Sequence, residues 1–163
     1  MHRTIRIAVL IATLMACACV GTKQSGKTPA PASTSPHTAA APAHHDDRLY
    51  RALGGQAGIA RVVDASLAEI HGDLRINFLF EKTDLADLRR LIIEQLCAAT
   101  GGPCTYSGRS MEEAHSGLNL TDADFDAFVD DLVRAMNSLK VPAELQKQLL
   151  DLLGPMRPEV VGQ

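Results

Sequence analysis

Between residues 47 and 161 the apolar side chains recur every three or four positions, and glycine pairs or capping residues repeatedly interrupt them. Such spacing admits short amphipathic helices and little else, because a helix repeats every 3.6 residues whereas a half-buried strand alternates every two. Asp47 is expected to cap a first helix, RLYRAL, which Gly54-Gly55 stops. A second, over about 56–71, places Ile59, Val62, Val63, Leu67 and Ile70 on one face, and Gly72-Asp73 ends it. Thr83 or Asp84 caps a third over 85–99, with Leu88, Leu91, Ile92, Gln95 and Leu96 at helical spacing, and Gly101-Gly102-Pro103 closes it. Ser110 starts a short helix. Thr121 with Asp124 opens a long one lined by Phe125, Phe128, Val129, Leu132, Val133 and Met136, and Pro142 begins the last, where Leu145, Leu149, Leu152 and Leu153 repeat. No segment alternates at period two, so the fold class is all-α.

The first third of the 163 residues has a different character. His2, Arg3 and Arg6 precede an apolar run over 7–16, too short to span a bilayer but suited to the core of a signal peptide. The run ends Leu14-Met15-Ala16-Cys17, which resembles the bacterial lipobox, so residues 1–16 are expected to be removed and Cys17 to carry a lipid. Residues 17–46 are rich in Ala, Pro and Thr and form a flexible tether. His37, His44 and His45 belong to that solvated linker and receive no site. The folded domain is then 47–163, one small core. With a net charge of -3 and scattered Lys and Arg, the chain carries no basic footprint, and nucleic-acid binding is disfavoured.

The segment 101–120, GGPCTYSGRSMEEAHSGLNL, bears the most chemistry. His115 alone among six histidines has apolar neighbours at helical spacing, Met111 four residues before and Leu118 three after. An imidazole presented from an apolar face is what a buried metal or a heme iron needs, and a packed core histidine is the alternative.

Six motifs occur along the domain: LYRALGG, GIARVVD, FLFEKTDLADL, TGGPCTYSGRSMEEAHSGL, DADFDAFVDDL and VPAEL. In this order and spacing they resemble a group 1 truncated hemoglobin, the shortened two-over-two globin, over residues 48–161. The resemblance implies a globin fold around one heme b (iron protoporphyrin IX), with His115 as proximal ligand. Phe80 would pack on the porphyrin face and Met111 and Leu118 beneath the ring. Phe78 and Tyr106 would contribute to the pocket wall, and Arg109 or Lys82 would pair with the propionates.

Departures from the family bear on function. The second helix of such globins usually carries Phe-Tyr after VVDx, the tyrosine donating a hydrogen bond to the bound gas; here the pair is Ser66-Leu67. The third often carries a glutamine where register places Ile92, between Leu88 and Leu96. The face opposite His115 is therefore expected to be entirely apolar. A missing donor forfeits about 1.5 to 3 kcal/mol of charge-assisted hydrogen bonding, which favours fast oxygen release. His71, one turn beyond Leu67, is a lesser candidate for a sixth ligand and the better candidate for a helix-end cap.

Cys97 and Cys104 flank the GGP turn; an exported domain could join them, whereas an inward-facing Cys97 would be a small core residue. The function implied is reversible binding of diatomic gases (O2, NO, CO) at the cell envelope, facing the periplasm. Its partners are those gases, the membrane through Cys17, and a redox partner of open identity. Nitric oxide dioxygenation or peroxidase-like turnover is the enzymatic alternative, and a heme-free helical adaptor lipoprotein the structural one.

Overall fold

The computed structural model describes residues 46–163; the signal segment 1–16, Cys17 and all but the end of the tether lie outside the described residues. Seven α-helices follow in order: α1 Arg48–Ala52, α2 Gly55–Gly72, α3 Leu85–Ala99, α4 Met111–His115, α5 Asp122–Ser138, α6 Ala143–Leu153 and α7 Arg157–Val160. Single 3-10 turns occupy Asn77–Phe80 and Gly154–Met156, and no strand occurs among the described residues. None of these helices is long and apolar enough to cross a membrane.

Local chemistry sets the boundaries. Gly54 and Gly55 both take positive φ, 90° and 64°, which reverses the chain between α1 and α2 in a conformation that side chains disfavour. Four residues on, a Cβ at Gly58 would lie 1.8 Å from the Leu53 carbonyl oxygen, so only glycine lets α1 end against α2. Asp47 occupies the N-cap position of α1, but its side chain makes no capping hydrogen bond and its carboxylate pairs with Arg51 at 2.7 Å instead. Of the two candidates ahead of α3, Asp84 is the cap, accepting from the Ala86 and Asp87 amides. Ser110 with Glu113 and Thr121 with Asp124 form reciprocal capping boxes at the starts of α4 and α5.

The core forms where α2 packs on α3 and α5. Ile59, Val62 and Val63 meet Ile93, Leu96 and Cys97 from α3, Leu132 and Met136 from α5, and Leu149 from α6. Each such burial contributes roughly 1.5 to 3 kcal/mol before entropy is counted. A smaller cluster of Ile70, Ile76 and Ala127, with Leu79, Phe80 and Phe128 against it, closes the other end of α2. Asp131 lies fully buried on α5 beside the Arg134 guanidinium, its carboxylate oxygens without a hydrogen-bond partner among the described residues, and Arg134 also reaches Glu69 at 3.1 Å and Asp73 at 3.4 Å.

Cys97 and Cys104 form a disulfide across the GGP turn. Closing so short a loop restricts the unfolded chain by about 2.5 kcal/mol in the chain-entropy description. The double substitution Cys97→Ala/Cys104→Ala is expected to lower unfolding free energy by that order in denaturant titration, and reductant should then have no further effect on the domain.

Candidate functional site

A cavity of about 510 Å³ opens among α2, α3, α4, α5 and the C-terminal segment. His115, Met111 and Leu118 form one wall, and Leu67, Leu88, Ile92 and Leu96 line it from α2 and α3. Phe80, Tyr106 and Arg109 also line it, so ten of the residues singled out from the sequence line one space.

The imidazole is oriented by its own helix. His115 Nδ1 lies 2.6 Å from the Met111 carbonyl oxygen. A carbonyl only accepts, so Nδ1 carries the hydrogen and Nε2 is the ring nitrogen left to bind a metal. Among the described residues no three His, Cys, Asp or Glu side chains are grouped to hold a metal ion. The cavity beside His115, lined mainly by apolar side chains, suits a flat macrocycle.

Several elements hold the His115 segment in place. Glu94 on α3 accepts from the Ser107 hydroxyl at 2.6 Å and the Ser107 amide at 3.0 Å, while Arg90 reaches Glu94 at 2.7 Å. The Ser107 hydroxyl, then Arg90, then the Ser107 amide hold the Glu94 carboxyl below its ordinary value. Stability from this contact is complete above the unfolded carboxyl's pKa and lost as pH falls through the depressed one. Ser107→Ala is therefore expected to flatten the acid limb of stability against pH, read by thermal melts between neutral pH and pH 3. Burial raises the Tyr106 phenol from its ordinary value, and its hydroxyl donates to the Arg109 carbonyl at 2.8 Å. Beyond His115, the Asn119 amide donates to the Gln163 carbonyl and the Gly162 amide to the Leu120 carbonyl, both at 2.9 Å. Arg157 stacks over the Phe125 ring at 4.4 Å and pairs with Asp122 and Asp126, which ties α7 to the start of α5.

Two expectations are corrected, the place of Phe78 and the wholly apolar wall. Phe78 is 55% exposed and absent from the wall, because in its 3-10 turn Leu79 and Phe80 turn inward and Phe78 faces solvent. Lys82 is exposed and does not line the cavity. His71, at the exposed end of α2, does not line it either. The wall is not entirely apolar, for Ser66 and Gln95 also line it. Ser66 Oγ donates to the Val62 carbonyl at 2.9 Å, so its hydrogen is already engaged. Arg109 stands at the rim, where Nη1 donates to the Glu113 carbonyl at 3.2 Å, and Leu118 remains 52% exposed there. Gln95 was visible in the sequence only as one more position on a helix face.

A family model for bacterial-like globins matches residues 48–161. The group 1 truncated hemoglobin of Nostoc sp. (strain MUN 8820) is 36% identical over 115 residues, covering 71% of this chain and 98% of the relative. That of Nostoc commune is 34% identical over the same shares. Among solved structures, Tetrahymena pyriformis truncated hemoglobin in the Fe(III) form superposes with a TM-score of 0.68 at 27% identity, over 71% of this chain and 98% of that one. The 2/2 hemoglobin of Synechococcus sp. PCC 7002, in the cyanomet state with covalently attached heme, gives 0.66 at 30% identity over the same shares. Matched along its domain in sequence and in helical architecture, the chain belongs to the bacterial-like globin family and has the fold of the truncated, two-over-two hemoglobins.

Proposed function

We propose that this globin holds one heme b in the cavity through His115 Nε2 and reversibly binds diatomic gases from an anchored position at the cell envelope. The observation that carries the reading is the His115 Nδ1–Met111 carbonyl hydrogen bond, which fixes the tautomer that leaves Nε2 for a metal inside a cavity lined by apolar side chains. Bound there, heme supplies a ferrous iron able to take O2, NO or CO. Met111 and Leu118 lie on the His115 side, Phe80 packs with the smaller core cluster, and Arg109 offers a rim cation for a propionate.

Leu67, Leu88 and Ile92 exclude water and donate no hydrogen bond, the Ser66 hydroxyl is engaged with Val62, and the Gln95 amide is engaged with Met111 and Met156. Oxygen therefore dissociates quickly, while the less polarised ligands CO and NO are relatively favoured. The same lack of a donor argues against nitric oxide dioxygenation and peroxidase-like turnover, which need charge stabilised on the reacting oxygen. Visible spectra of ferric, ferrous and CO-bound protein, with stopped-flow oxygen dissociation, test the reading. A Soret band and rapid oxygen release are expected. No heme uptake after reconstitution would leave a helical adaptor, and slow release would point to a polar pocket.

The lipobox-like Leu14-Met15-Ala16-Cys17 supports the envelope location, and the Cys97–Cys104 disulfide fits an oxidising compartment. Cys17→Ala is expected to move the protein from the membrane fraction to the soluble fraction. A redox partner returning the iron to the ferrous state completes the scheme.

A further inference from the structure

Gln95 lies three residues beyond Ile92 and seven beyond Leu88, on the face of α3 that lines the cavity. Its Nε2 stands 3.3 Å from Met111 Sδ and 3.4 Å from Met156 Sδ. A thioether accepts and never donates, so the amide presents its NH2 end to both sulfurs. Met111 is thereby held at two points. Its sulfur receives Gln95, and its carbonyl oxygen receives Nδ1–H of His115. A continuous path, Gln95 to Met111 to His115, joins the α3 wall to the imidazole across the cavity.

The path matters because α4 has only five residues. One turn of helix is unstable by itself, so tertiary contacts decide where its carbonyls point. The Ser110–Glu113 capping box fixes the entry to that turn, and Gln95 grips the side chain of its first residue. We propose that Gln95 is a positioning residue for His115: by holding Met111 it sets the carbonyl that orients the imidazole, and it couples the α3 wall to the bond His115 makes with its metal. This rests on the reading of His115 as the heme ligand.

Gln95→Met preserves side-chain length and removes the donor, and Gln95→Glu preserves shape as an acceptor only. Met111→Leu keeps the main-chain carbonyl and the apolar bulk but removes the sulfur. In the heme-loaded full chain, the iron–histidine stretching band of the deoxyferrous state is read by resonance Raman. All three variants should keep a Soret band and move the iron–histidine band in the same sense. Gln95→Met/Met111→Leu should move it no further than either single change. Heme transfer to excess apomyoglobin should quicken about threefold in each single variant, the rate equivalent of one weak hydrogen bond. An unchanged band in Gln95→Met overturns the proposal, and so does a band that moves in Gln95→Met but stays put in Met111→Leu. Should the Gln95 variants fail to fold, the Met111→Leu band alone decides. If the unsubstituted protein takes up heme but shows no iron–histidine band, the ligand assignment falls and the positioning role falls with it.

Discussion

His115→Gly is expected to abolish the Soret band of the purified protein, and added imidazole to restore it. Removing even the hydrogen-bond partner of a metal-bound histidine typically weakens metal binding by about 10- to 100-fold, and removing the ring itself exceeds that. Glycine leaves a space the size of the lost side chain on a wall that is otherwise apolar, so free imidazole can re-enter and ligate. Thermal unfolding provides a second readout. A tightly held cofactor stabilises the folded state by mass action, so the heme-dependent rise in melting temperature should vanish in His115→Gly and return with imidazole. A Soret band of native intensity in the variant without imidazole would sink the ligand assignment.

Leu67→Tyr is expected to slow oxygen dissociation by one to two orders of magnitude. The position faces the cavity from α2, one residue beyond Ser66, and a phenol placed there gains the hydrogen bond that leucine cannot make. Such a charge-assisted bond is worth about 1.5 to 3 kcal/mol, which corresponds to roughly a tenfold to hundredfold change in rate. CO dissociation should respond much less, since CO is less polarised. Equal slowing of both gases would point to a steric barrier, and no slowing of oxygen would mean that residue 67 does not face the bound gas.

The helices were legible because their signals are local. The Gly54-Gly55 reversal, the Ser110–Glu113 and Thr121–Asp124 boxes and the apolar stripes all act within a few residues, and each stands where the spacing placed it. The sequence left Cys97 and Cys104 undecided because spacing does not report the separation of two sulfurs, and the structure joins them. What escaped the reading depends on distant partners. Asp131 stands beside another aspartate in the α5 sequence, yet it is fully buried beside Arg134. Gln95 meets Met111 and Met156, 16 and 61 residues away, so neither contact has a sequence signature. The resemblance alone placed Phe78 on the wall, whereas a 3-10 turn distributes successive side chains around the axis and sends this one outward.

The pairing of Gly162 and Gln163 with Leu120 and Asn119 bears on how the protein is handled. These residues lie against the loop that leads away from His115, so load placed on the 162–163 segment is carried to the turn beside His115. With His115 as the heme ligand, a fusion joined next to Gln163 is expected to report its own mechanical load as a shifted iron–histidine band.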